Sequence, residues 1–367
     1  MEKKYTVAMV GLGSRGLAHL EGLYAKAGTR RFEVLGLCDH RRANMEKAAE
    51  RFSLGSEKFW DDADKMLGAL KPDVLCFATL PRVRLELVEL AAKHKVRGLM
   101  FEKPMAESAA EARRIYKICQ DAGIKAIVCH QHKYLPSFLK LKEAIDSNSM
   151  GKITRISARC QSWMAHSATH YTDYIIWANR GIGIASVTGH IHGRDRLSDN
   201  HPSPDFFMGE YVMRNGVRAD IQCGYFSKPY QEHDEDYQNN VFSGAFFTDC
   251  RLMVYGETGY AWAACNGPWA VCSVKDGFKE GAFAPWPEER IGAQARYTEA
   301  FARWLDDDAA LHPCNVETAY NGYQAVEAVV LSALDKTRVD LPLERDKDDV
   351  LKRMKEELQD TPRRKLP

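Results

Sequence analysis

A short glycine-rich turn between two strand-like runs constrains this chain more than any other feature. Residues 5–10, Tyr-Thr-Val-Ala-Met-Val, form a β-branched apolar run that stops at Gly11-Leu12-Gly13-Ser14-Arg15-Gly16. Helical apolar spacing follows, and then the run 31–40 makes a second strand that ends on Asp39. Each glycine has its own task. Gly11 permits the tight turn, Gly13 lets backbone approach a pyrophosphate, and Gly16 lets the helix pack on the strand. The opening helix turn offers unpaired N–H groups and the positive end of the helix dipole to phosphates. Asp39 stands 23 positions beyond Gly16, where a carboxylate accepts both ribose hydroxyls of NAD. It also repels a 2′-phosphate, which favours NAD over NADP. Arg41 and Arg42 follow at once and keep NADP open.

The alternation continues. Residues 72–80 read as a buried strand, 84–94 as a helix and 96–104 as a strand. A helix opened by Ser108 with Glu111 three residues on makes a capping box, and 124–134 is the next strand. Strands alternating with helices predict a parallel, doubly wound sheet. The run Phe101-Glu102-Lys103-Pro104 then places a lysine at the carboxyl end of a sheet strand, where open α/β sheets bind ligands. Ion pairing of Lys103 with Glu102 is awkward, because neighbours on a strand point to opposite faces.

At 367 residues two domains are expected, and a formal charge of +1 gives no electrostatic case for nucleic acid or an anionic membrane. The start carries no secretory apolar segment, and no run approaches a membrane span. The ten cysteines form no Cys-x-x-Cys pair and read as small buried hydrophobes of a reducing, cytoplasmic compartment. Beyond the first domain, runs around 152–163, 183–193, 205–226 and 249–265 are strand-like, with Asn215-Gly216 as a hairpin signal.

Taken in order, 10–16, 77–83, 101–108, 130–158, 169–189 and 321–343 resemble the Gfo/Idh/MocA family, the glucose–fructose oxidoreductase and inositol dehydrogenase relatives. The resemblance implies a Rossmann domain (1–128), an α/β domain with a large, mostly antiparallel, open-faced sheet (129–345), and a charged C-terminal helix or tail (346–367). The open face mediates dimers or tetramers in the family, so a homodimer or homotetramer is expected. By the same resemblance the chain is an NAD(P)-dependent dehydrogenase of a sugar, polyol or sugar derivative, needing no metal.

Carried over residue by residue, the resemblance assigns Gly11, Gly13, Ser14, Arg15, Gly16, Asp39, Thr79, Glu102 and Lys103 to the cofactor. Lys103 and His170 are its catalytic pair, and Tyr134, His166, His170 and Asp173 join Lys103 around the substrate. His170 is read as lying near the start of a helix, which keeps its pKa low. His166 stands where the family has an aspartate, and the loop ahead of it looks short. His192-Gly-Arg-Asp195 is a rival placement of the histidine. Arg84 replaces a frequent histidine and faces a cofactor phosphate or caps the sheet.

Two other functions remain open on the same fold. One is glycoside cleavage through transient sugar oxidation by tightly held NAD. The other is a cofactor-sensing regulator, which needs neither Lys103 nor His170.

Overall fold

The computed structural model describes residues 3–25, 31–160, 164–198, 202–224, 250–344 and 349–360, with the side chains of 165 and 166 left aside. The chain divides into two units. One comprises Met1–Tyr134 with Glu289–Tyr320, and the other Leu135–Glu288 with Asn321–Pro367.

In the first unit the apolar runs become strands because β-branched and sulfur-bearing side chains fill both faces of a covered sheet. These are β1 (Tyr5–Val10), β2 (Phe32–Cys38), β3 (Phe59–Trp60), β4 (Val74–Phe77), β5 (Gly98–Phe101) and β6 (Lys125–Val128). Their order is β3-β2-β1-β4-β5-β6, every pair parallel. β4 and β5 are buried at every position, as a sheet with helices on both faces requires. The crossovers are α1 (Ser14–Tyr24), α2 (Arg42–Phe52), α3 (Ala63–Leu70), α4 (Arg84–Lys93) and α5 (Ala109–Asp121). Ser108 caps α5 by accepting from the Glu111 N–H at 3.2 Å. The Glu111 carboxylate reaches one residue further back than a capping box requires, to the N–H of Glu107.

Among the described residues the second unit is built on nine strands. They include β7 (Ile153–Cys160), β8 (Ile184–His192), β9 (Phe206–Met213), β10 (Arg218–Gly224), β11 (Arg251–Gly256), β12 (Gly259–Ala264), β13 (Pro268–Ser273) and β14 (Gly277–Ala282). Val339–Asp340 adds an edge, and among the described residues only the β7–β10 pair is parallel. The Asn215-Gly216 signal does form the β9–β10 hairpin, with Gly216 at φ +84°. Along β11 and β12 alternate residues are buried and half-buried: Val254 pairs with Ala261 inside, Met253 with Trp262 outside. α6 (Pro136–Asp146), α7 (Met164–Ala178) and the helix Val316–Asp335 are its long helices. Among the described residues no helix is long and apolar enough to cross a membrane.

Candidate cofactor and proton-transfer site

The glycine turn sits where β1 ends, and its three glycines differ in the space around them. Gly11 has φ +82°, and a Cβ there would lie 2.7 Å from the Ala78 carbonyl oxygen. At Gly16 the added carbon would stand 2.1 Å from the Gly11 carbonyl oxygen, so only glycine allows α1 to start so close to the turn. A Cβ on Gly13 would meet nothing within 4 Å. The turn is therefore packed tight at its two ends and open in the middle. Gly13 is the N-cap of α1 without a side-chain cap, and no acidic residue occupies the first helical turn. Those N–H groups stay available to an anion.

Asp39 lies just past β2 with its carboxylate turned toward this turn. It accepts from the N–H of Leu12 at 2.7 Å, from that of Arg41 at 2.8 Å and from Asn44 at 3.1 Å. The negative charge is thus fixed beside the glycine turn. Of the two neighbouring arginines, Arg42 is engaged with Glu46 at 3.0 Å and stacks over Phe59. Thr79, following β4, presents a buried Oγ1 with no hydrogen-bond partner among the described residues. An open glycine, an uncapped helix start, a fixed carboxylate and an unpartnered hydroxyl together fit a dinucleotide.

Glu102 and Lys103 follow β5, joined to Pro104 by a cis peptide bond. Glu102, 4 % exposed, takes Arg15 Nη2 at 2.8 Å and His19 Nε2 at 3.1 Å. Burial on its own would raise this carboxyl, but Arg15 and then the His19 hydrogen bond hold it well below the carboxylate range. Arg15 also donates to Cys129 Sγ at 3.5 Å, and its guanidinium is correspondingly hard to deprotonate. So Arg15, expected at the cofactor, spends its charge on the Glu102 turn. Arg84 is 2 % exposed and donates to the carbonyls of Thr79 at 2.6 Å and Lys103 at 3.4 Å. It ties the two strand ends together, which is the sheet-capping alternative.

The Lys103 amine is pushed below its usual value, first by loss of hydration and then by the Arg15 and Arg84 charges, against the pull of Glu102. His132 feels the same surroundings. Desolvation, Arg15, Lys103 and His130 drive it down to about 3, so it is a neutral imidazole near neutral pH. Sequence reasoning overlooked His19, Cys129, Gln294 and His132. Only the paired histidines of His130-Gln131-His132 were visible as a signal. His19, Glu102 and Cys129 bring three donor atoms within 4.8 Å, a spacing a metal ion accepts. Arg15 already shares two of those donors, so a metal there would be set against a cation.

Tyr134, read as a substrate contact, lies at the end of the first unit's first segment. Its hydroxyl meets His312 Nε2 at 3.1 Å, its ring stands edge-on to Tyr297, and burial lifts its pKa well above the ordinary phenol. The residue packs the interior of the first unit.

In the second unit His170 lies in the middle of α7, since the helix begins six residues earlier at Met164. The expected helix-start effect on its pKa is therefore withdrawn. The stretch ahead of it is helix where a short loop was read, because Met-Ala-His-Ser-Ala contains no glycine or proline to stop one. His170 Nδ1 meets the Tyr174 hydroxyl at 2.9 Å, one turn on. Asp173 is fully buried, and a Cβ on Gly322 would lie 3.2 Å from its backbone nitrogen. The His166 side chain lies outside the described residues. His192 is exposed at the end of β8.

Residues 5–130 match the GFO_IDH_MocA family, described as an oxidoreductase family with an NAD-binding Rossmann fold. Over that segment the first unit is similar to this family, whose description names an NAD-binding Rossmann fold. It is 29 % identical over 243 residues to D-apiose dehydrogenase from Paraburkholderia graminis, covering 63 % of each chain. With D-xylose dehydrogenase from Paenarthrobacter nicotinovorans it shares 29 % over 132 residues, 35 % of this chain and 32 % of that one. The chain thus spans less than two thirds of the length of either relative. In fold it superposes on an oxidoreductase from Agrobacterium radiobacter solved with NAD+, L-tartaric acid and magnesium. That match has TM-score 0.74 and 17 % identity, covering 92 % of this chain and 98 % of the other.

Proposed function

We propose that the protein is an NAD-dependent dehydrogenase acting on a carbinol carbon of a sugar, polyol or sugar derivative. The observation that carries this reading is Lys103. A lysine with a lowered pKa stands at the carboxyl end of β5, in the same unit as the open glycine turn and the fixed Asp39 carboxylate. The names of the apiose and xylose dehydrogenases support a sugar as substrate.

Bound NAD supplies a hydride acceptor for the carbinol carbon. Gly13 and the first turn of α1 hold the pyrophosphate, and Asp39 takes the ribose hydroxyls. Thr79 Oγ1 offers a further polar contact. Lys103 would take the hydroxyl proton of the carbinol, its proton affinity lowered by loss of hydration. His170 is assigned a general acid/base role, with Tyr174 fixing its ring. Asp173 and His166 belong to substrate recognition in the same reading. Association as a homodimer or homotetramer uses the sheet face bearing Met253, Tyr255, Tyr260 and Trp262.

The test joins mass spectrometry of cofactor released from the denatured protein to a screen of free sugars and polyols for NADH formation. Reversible uptake of NAD with NADH produced from a sugar or polyol supports the reading. A protein that keeps NAD and cleaves glycosides without net NADH would replace it with the transient-oxidation chemistry. Failure to bind NAD would overturn it.

A further inference from the structure

Four of the ten cysteines line up across four adjacent strands of the second sheet. Cys160 is the last residue of β7, and Cys223 on β10 is its direct partner in parallel register. On the other side Arg251 pairs with Arg159 of β7 and with Ala264 of β12. One step further along both antiparallel ladders sets Cys250 beside Cys160 and beside Cys265. The Cys265 N–H donates to the Cys250 carbonyl at 3.0 Å, which confirms that step. The row reads Cys223, Cys160, Cys250, Cys265, each at most 2 % exposed. The sulfurs of Cys160 and Cys250 are 3.3 Å apart. Tyr171 of α7 closes the row with its hydroxyl 3.3 Å from Cys265 Sγ.

Two chemistries suit adjacent thiols, a soft metal ion and a disulfide. A metal needs thiolates, and this region is hostile to them: burial pushes the Cys223 thiol well up and Cys265 to about 12. A disulfide carries no charge and costs nothing in buried ionisation. The geometry also suits it. Residues directly opposite on antiparallel strands have Cα atoms about 4.5–5.5 Å apart, inside the roughly 4.4–6.8 Å that a disulfide spans. From 3.3 Å the two sulfurs need to approach by about 1.3 Å to bond.

We propose that Cys160 and Cys250 form an oxidation site at which a peroxide-class oxidant closes an intramolecular disulfide. One thiol sulfur, having given up its proton, attacks a peroxide oxygen, breaks the O–O bond and becomes a sulfenic acid, and the first water leaves. The second thiol attacks that sulfur, the S–S bond forms and the S–O bond breaks, and a second water leaves. The pair loses two electrons and two protons, and hydrogen peroxide is reduced to two waters. Because the row is buried, the reaction proceeds on the timescale of local opening at the strand ends and is slower than at an exposed thiol. This site is independent of the NAD reading above.

The full-length reduced protein is treated with hydrogen peroxide, unfolded with an alkylating agent, digested without reductant and mapped by mass spectrometry. The expected product is a peptide pair joined through Cys160 and Cys250, with two thiols lost per chain and both restored by dithiothreitol. Cys272, half-buried on β13 and outside the row, reports simple exposure. The closed loop spans 90 positions, so the oxidised chain also melts at a higher temperature than the reduced one. Recovery of alkylated Cys160 and Cys250 at doses that oxidise Cys272 would overturn the proposal. So would a link from Cys160 to Cys223 in place of Cys250. A Cys250→Ala variant, which changes neither strand pattern nor charge, is expected to lose the linked pair and the melting shift together.

Discussion

The carboxyl end of the first sheet and the face of the second sheet under α7 bury polar groups by opposite means. The first brings charges inside and cancels them: Glu102 between Arg15 and His19, Asp39 against backbone N–H groups. The second, beside the buried Asp173, uses side-chain pairs without a charged partner group: His170 with Tyr174, Tyr171 with Cys265, and Thr172 with Tyr211 at 3.2 Å. Buried charge is intolerant, because removing one partner strands the other, whereas a neutral pair loses one modest hydrogen bond. The charged end is therefore the place where geometry is held most rigidly. That is where a proton-transfer lysine needs its position fixed.

Substitutions break this comparison in graded steps. The largest effect is expected at Gly16→Ala, whose Cβ would stand 2.1 Å from the Gly11 carbonyl oxygen. NAD titration should show no measurable binding, and thermal unfolding a loss of about 1–3 kcal/mol from overpacking. Gly13→Ala separates the two effects. With nothing within 4 Å of the new carbon, its melting temperature should match the parent while NAD affinity falls.

Glu102→Gln comes next, removing the charge that answers Arg15. Loss of about 3 kcal/mol is expected in denaturant titrations, the lower end for breaking a buried pair. The pH dependence carries its own signature. The folded-state pKa of Glu102 lies well below its unfolded value. Its contribution is therefore fully present above the ordinary glutamate pKa of about 4.3 and is lost as pH falls through the folded value. The Gln variant should flatten that acid limb. An unchanged limb would assign the acid lability elsewhere.

Smaller effects test local structure. Ser108→Ala removes the α5 cap and should cost about 1 kcal/mol by chemical denaturation. Tyr174→Phe deletes only the hydroxyl on His170 Nδ1, and about 1 kcal/mol or less is expected for this neutral pair. A loss there as large as that of Glu102→Gln would erase the distinction between the two regions.

The legible parts of the molecule are those written in consecutive residues. The glycine turn, the Ser108 cap, the Asn215-Gly216 hairpin and the strand end before Lys103 are each legible in neighbouring residues, and Asp39 in its fixed spacing from the turn. The rest depends on partners far along the chain. Arg15 meets Glu102 across 87 positions, Gln294 meets His19 across 275, and Tyr134 meets His312 across 178. No periodicity announces such pairs. The return of Glu289–Tyr320 to the first unit is equally silent, since the helix Trp286–Asp306 carries no mark of which sheet it serves. His170 was misplaced within its helix because a start was inferred where no capping residue requires one. The cysteine row stayed hidden because register, not spacing, assembles it.

The central claim is that the Lys103 amine, with its proton affinity lowered by desolvation, takes the substrate proton during NAD-dependent oxidation. Its most direct test is the pH–rate profile of NADH formation for the parent and for Lys103→Met, with the substrate found in the sugar and polyol screen. The folded-state pKa lies below 10.5, so the parent rate should rise with pH and level off before that value. The Met variant should still bind NAD and turn over about 10²- to 10⁴-fold more slowly at saturating NAD, the usual loss when an acid–base group is removed. A Met variant with the parent's rate and profile would contradict the account.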